Sequence, residues 1–261
     1  MITFTSQQLA AWMGAFFWPF VRILALLSTA PVFGAPQVPM RVRAGLALAI
    51  AVVLAPALPA MPTLDFLSGA GVVLLLQQIL IGAALGMTVL LVFTTVQFAG
   101  TVMGLQMGLG FSSFFDPVQG VQITTLASFL NLLAILLFLG FDGHILLLGV
   151  LARSFALLPV SPGMGLASSA WHTLVLEGGV IFSLGLALAA PVVGVLLIAN
   201  IGMGVLSKMA PQLNIFAVGF PLFFLLGFAA LYFLMPFLAQ VVRHLVEMSV
   251  ELGGAILRQR A

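Results

Sequence analysis

Few residues in this chain are of a kind that performs chemistry, and their spacing is not that of a catalyst. The 261 residues include 3 histidines, 6 carboxylates and no cysteine. His144, His172 and His244 are scattered, with no His-Glu-x-x-His pair or other metal-ligand spacing. Lys208 follows Ser207 and not a glycine, so there is no phosphate-cradling Walker motif. A Gly-x-Ser-x-Gly elbow and a glycosidase-like carboxylate pair are missing too. Without cysteine there is no disulfide, thiolate metal site or cysteine nucleophile. The expectation is a non-enzyme with no cofactor and no metal.

A different physical task is written into the stretch Gly100 to Gly120, which is suited to excluding water. Gly100, Gly104 and Gly108 recur every fourth residue. On a helix they form one smooth stripe that lets another backbone approach closely, at about 1 kcal/mol of helix propensity per glycine. Phe111, Ser112, Ser113, Phe114, Phe115, Asp116 and Pro117 follow Gly110. The helix is expected to fail there, because residue 116 precedes a proline and is pushed toward extended backbone. Met103 and Met107, four apart, bring flexible thioethers beside the aromatic segment. Apolar constrictions close pores by dewetting, so Phe111, Phe114 and Phe115 are candidates for a seal. The plainer alternative is a re-entrant turn packed inside a helix bundle. Asp116 either caps the loop or pairs with a basic group elsewhere.

The elements that must position this loop are membrane helices. Hydrophobic residues make up 63% of the chain and charged residues 5%, against about 25% charged in a soluble domain. The net charge of +2 rests on 8 basic residues, so it bears on membrane orientation and gives no sign of nucleic acid. The amino terminus is polar to Gln8 and is expected to remain on the mature protein.

The first span is expected from about Leu9 to Phe33, broken by Pro19 and carrying Arg22 within it. An arginine at that depth faces the bundle interior, a cavity or a carboxylate. Glu177 is the best candidate carboxylate; snorkelling or a contact with another subunit is the alternative. A proline-bounded loop with Arg41 and Arg43 precedes an apolar run from Ala44 to Met61. The next run, from Phe66 to about Gln106, has no charge at all and would measure about 60 Å as one helix, twice the hydrocarbon thickness. It is either a hairpin turning near Gln97 to Gly100 or a kinked helix continuing beyond the bilayer. Gln77, Gln78, Gln97 and Gln106 are polar points for bonds between helices. Further runs are Ile123 to Phe141, Ile145 to Leu158, Leu174 to Ile201 with Pro191, and a last span reaching about Val242. Gly202 to Asn214 is expected to connect the final two.

The fold class expected is an all-α integral membrane protein of about six to seven long, kinked helices. Residues 1–242 form one polytopic domain, with the loop at about 106–122, and residues 243–261 form a cytoplasmic amphipathic tail. With an outside amino terminus and seven crossings, Arg41, Arg43, Arg153, Arg243, Arg258 and Arg260 fall on the cytoplasmic side and Lys208 outside. Gly82 and Gly86, with Gly100, Gly104 and Gly108, are expected to be close-packing faces, some against other chains.

The segments Arg22 to Gly34, Val38 to Arg43, Gly110 with Phe115-Asp116-Pro117, and Ala210 to Pro221 occur in this order along nearly the whole chain. In them the chain resembles the FliR family of flagellar biosynthesis proteins, whose virulence relatives serve type III secretion injectisomes. The resemblance implies a channel subunit arranged as helical hairpins in a hetero-oligomeric export gate. It also implies FliP and FliQ as sister subunits, FlhB and FlhA as further export partners, and unfolded flagellar proteins as the cargo. The location it implies is the bacterial inner membrane, in the flagellar basal body, with the plug loop on residues 106 to 122. A virulence homologue and, from a different class, a secondary transporter are the competing readings.

Overall fold

The computed structural model describes residues 6–59, 61–62, 68–110, 124–211 and 215–259, with side chains from residue 14 in the first helix and from 218 in the last. The helices are α1 (Ser6–Thr29), α2 (Met40–Leu54), α3 (Gly69–Gln106), α4 (Thr125–Gly140), α5 (Gly143–Leu157), α6 (Ser168–Glu177), α7 (Val180–Met209) and α8 (Ile215–Arg258). A 3-10 turn, Ala55–Ala57, extends α2. No β-strand occurs among the described residues. This is the all-α architecture expected of a chain this apolar, since a helix satisfies its backbone groups internally where no water is available. Pro19, Pro191, Pro221 and Pro236 all lie inside helices, as membrane helices tolerate.

Four helical stretches are long and apolar enough to cross a membrane: Met40–Ala57, Gly69–Gln106, Ser168–Met209 and Val218–Arg258. The pair α4 and α5 is a fifth if counted as one span, bent by 66°. The bend falls at Asp142, whose φ of 55° is left-handed, a conformation that Asp adopts more readily than most residues. The apolar part of α1, Gly14–Thr29, is shorter.

Of the two alternatives for the segment ending at Gln106, the structure has the single helix, 38 residues long, and not the hairpin. Two boundaries differ from the expectation. The glycines Gly202 and Gly204 lie inside α7, with open space where a Cβ would stand, so they continue the helix and make no connection. Lastly, α8 runs through Val242 without a break. Leu245, Val246, Leu252, Ile256 and Leu257 are buried. Residues 243–258 therefore continue α8 with one apolar face buried.

The chain divides into unit 1, residues 1–91, 142–177 and 246–261, and unit 2, residues 92–141 and 178–245. Unit 1 has a core of Trp18, Ile23, Leu26, Leu74, Ile81, Leu85, Leu151 and Phe155. Unit 2 is built around Phe93, Val96, Met103, Leu130, Phe138 and Leu188, with Phe93 and Phe138 in edge contact at 5.5 Å. The outer faces are apolar as well: Phe182, Ile198, Leu225, Tyr232 and Phe233 are each more than 60% exposed. Faces of this kind belong in lipid or against other protein.

Candidate functional site: a buried arginine and a glycine-lined helix leading to the loop

Arg22 is fully buried in unit 1 and joins three helices with one side chain. Its Nε donates to Gln78 Oε1 on α3 at 2.8 Å, Nη1 donates to Ser154 Oγ on α5 at 3.0 Å, and Nη2 donates to the Leu158 carbonyl at 2.9 Å. The guanidinium carbon lies 4.2 Å from the centre of the Phe155 ring. Ser154 passes the bond onward, donating to the Leu151 carbonyl at 2.6 Å. None of these groups is a carboxylate, so the expected partnership with Glu177 is corrected. Glu177 is the last residue of α6 and is not among the partners of Arg22.

The charge is balanced in another way. Leu158 caps the carboxyl end of α5, where unpaired carbonyls and the helix dipole together carry about half a negative charge. The Phe155 ring face adds a cation–π attraction, worth about 2 kcal/mol when desolvated. Arg22 thus serves as a cap for α5 delivered from α1. Sequence reasoning marked Gln78 as a polar point but missed Ser154, Phe155 and Leu158; the signal was a short helix ending two residues before Pro159, with an arginine elsewhere free to cap it.

At four of the stripe's glycines a Cβ would meet another helix or helix cap of this same chain. In unit 1 a Cβ on Gly82 would collide with the Arg22 carbonyl, and would stand 2.8 Å from Ala25 Cβ. One on Gly86 would stand 2.7 Å from Thr29 Cβ and 2.8 Å from the Leu26 carbonyl. Hence α3 lies directly on α1, and the approach that seats Gly82 also sets the Arg22 backbone. In unit 2 the corresponding contacts are Gly100 on the Ala127 Cα at 2.6 Å and Gly104 on Thr124 Oγ1 at 2.8 Å. Thr124 is the N-cap of α4, accepting from the Ala127 N–H at 3.2 Å while its hydroxyl donates to the Gly100 carbonyl at 3.4 Å. One threonine therefore starts α4 and fixes it to α3.

Gly108 lies past the end of α3. Its φ of 82° and its N–H bond to the Leu105 carbonyl at 3.1 Å place it in the left-handed turn that closes the helix. Gly110 follows, with Leu105 Cδ2 2.6 Å from where its Cβ would be. Met103 and Met107 are fully buried, and Met107 lies against Gly227 of α8, its Cε 2.6 Å from the position of a Cβ there. These methionines anchor the root of the loop in unit 2. Phe111, Ser112, Ser113, Phe114, Phe115, Asp116 and Pro117 lie outside the described residues. Among the described residues no group of three or more His, Cys, Asp or Glu could hold a metal ion.

A leucine at Gly104 is expected to lower the stability of unit 2 by about 3 kcal/mol, at the upper end for overpacking, because a capping hydroxyl has to move. A leucine at Gly194, where nothing lies within 4 Å, is the control. Thermal melting of both variants in detergent checks this; equal melting temperatures would show that the α3–α4 approach is not tight.

Comparison with known proteins identifies the family. The family model described as bacterial export proteins, family 1, matches residues 13–249. The flagellar biosynthetic protein FliR of Pectobacterium carotovorum is 47% identical over 99% of this chain and 98% of its own length. That of Escherichia coli is 44% identical over 94% and 93%, and that of Bacillus subtilis 30% identical over 91% and 92%. With most of its length matched by the family model and by these relatives, the chain belongs to family 1 of the bacterial export proteins, the family of the flagellar FliR proteins.

Proposed function

We propose that the chain is a core channel subunit of the flagellar type III export gate, passing unfolded flagellar proteins across the bacterial inner membrane at the flagellar basal body, with no catalysis of its own. The observation that carries this reading is α3. It is a charge-free helix of 38 residues, about 57 Å long, and it ends in a glycine turn rooted by Met103 and Met107, from which the aromatic segment departs. A helix nearly twice the hydrocarbon thickness suits packing against other subunits better than crossing lipid alone. The exposed apolar faces of α7 and α8 supply surface for such packing, with FliP and FliQ as the sister subunits and FlhB and FlhA as further partners. Relatives named as flagellar, at 30% to 47% identity, favour the flagellar system over a virulence one.

The test is a strain lacking only this gene. Hook and filament proteins should disappear from the culture medium and motility should be lost, with both restored by the intact chain. Normal secretion of these proteins together with loss of uptake of a small solute would replace this reading with the secondary transporter.

A further inference from the structure

Outside the features used so far, one cavity in unit 1 combines charge with apolar walls. It lies between α5 and the end of α8 and has a volume of about 290 Å³. Arg153 and Arg258 supply two guanidinium groups, Glu251 supplies one carboxylate, and Val150, Leu157 and Val250 supply apolar wall. Arg153, Glu251 and Arg258 are exposed and have no hydrogen-bond or ion-pair partner among the described residues.

We propose that this cavity binds the phosphodiester headgroup of an anionic phospholipid. Two guanidinium forks are suited to phosphate oxygens, which they can grip in bidentate fashion. Basic pockets between membrane helices are a recognised form of lipid headgroup site. Glu251 leaves the cavity with one net positive charge, matched to the single negative charge of a phosphodiester and not to doubly charged inorganic phosphate. The carboxylate can also accept a hydrogen bond from a headgroup hydroxyl, as a glycerol headgroup offers. Val150, Leu157 and Val250 give the ester and first methylene groups an apolar wall, which free phosphate would leave unused. The volume exceeds what a phosphate ion needs and leaves room for the glycerol.

The cavity also offers a clean way to block it. Gly254 is part of its lining, and a Cβ at Gly254 meets nothing within 4 Å, so a leucine there takes up space in the cavity without pressing on the fold.

The test uses the full chain in detergent, titrated with phosphatidylglycerol, with phosphatidylcholine of the same acyl chains, or with inorganic phosphate, and read by native mass spectrometry. Phosphatidylglycerol should bind about tenfold or more tightly than phosphatidylcholine, with equimolar phosphate unable to displace it. The double variant Arg153→Gln, Arg258→Gln and the single variant Gly254→Leu should each reduce phosphatidylglycerol to the phosphatidylcholine level. Arg243→Gln should leave binding unchanged, since that guanidinium lies over the Phe141 ring at 4.8 Å and does not line the cavity. Equal binding of the two lipids, or unchanged binding by the double variant, would overturn the proposal. Displacement by equimolar phosphate would also overturn it, in favour of a free-phosphate site. So would protection of both arginines from chemical labelling by an acidic protein partner in lipid-free complex.

Discussion

Replacing Arg22 with leucine is expected to destabilise unit 1 by about 3 to 6 kcal/mol, enough to remove most of the folded protein from the membrane, since stability totals only about 5 to 15 kcal/mol. The loss has two sources. Gln78 Oε1 and the Leu158 carbonyl would each be left buried without a donor, at about 1 to 3 kcal/mol apiece, and the end of α5 would lose its cap. Arg22→Lys should fall between the two, because a single ammonium group has no planar fork to reach acceptors on two other helices at once. Glu177→Gln should change nothing at this site. Melting curves in detergent and the amount of protein retained in membranes check all three. An Arg22→Leu protein that melts like wild type would remove the capping role, and a Glu177→Gln protein that fails with it would restore the carboxylate partner.

The case of Arg22 shows where the sequence can be read and where it cannot. An arginine within an apolar run announces that it has a buried partner, because hydrocarbon offers it nothing. Composition also suffices for the all-α membrane class, and the break between the runs ending at Phe141 and beginning at Ile145 falls at Asp142, the N-cap of α5. The partner's identity is not legible, since a helix-end carbonyl has no letter of its own and any residue supplies one. Gly82, Gly86, Gly100 and Gly104 are legible as close-packing positions for a similar reason: a missing side chain is visible. Which backbone fills the gap is a matter of tertiary structure, and here it is α1 and α4 of the same chain. Gly108 continues the four-residue spacing on paper but falls beyond the last helical residue, where glycine is needed for its positive φ. The spacing alone does not separate these two uses. The length of α8 was hidden because Arg243 and His244 look like the start of a polar tail, whereas the apolar positions beyond them keep helical spacing and are buried.

Deleting Gly110 to Phe114 is expected to leave the chain folded and the gate assembled, while resting cells leak small ions or dyes. The described structure ends α3 and its glycine turn before this segment, and Met107 packs against Gly227 of α8, so unit 2 should tolerate its loss. On the proposed reading, the segment would serve as the seal that its composition suits. A channel that passes an unfolded chain needs a wide path, yet at rest it must hold back ions, and an apolar constriction does so by excluding water without any charged group. Phe111, Phe114 and Phe115 would lie on one face if the segment kept a helical turn, since residues three and four apart are neighbours there. On the proposed reading, the turn at Gly108 would be the joint from which the aromatic face swings aside for cargo. Export should therefore persist in part, because the deletion removes the seal and leaves the path. The measurement compares dye entry and membrane potential in resting cells of the deletion strain and wild type, with assembly of the complex confirmed by co-purification of FliP and FliQ. An intact complex that seals as tightly as wild type would show that the aromatic segment is packing, and that the resting barrier is formed elsewhere in the gate.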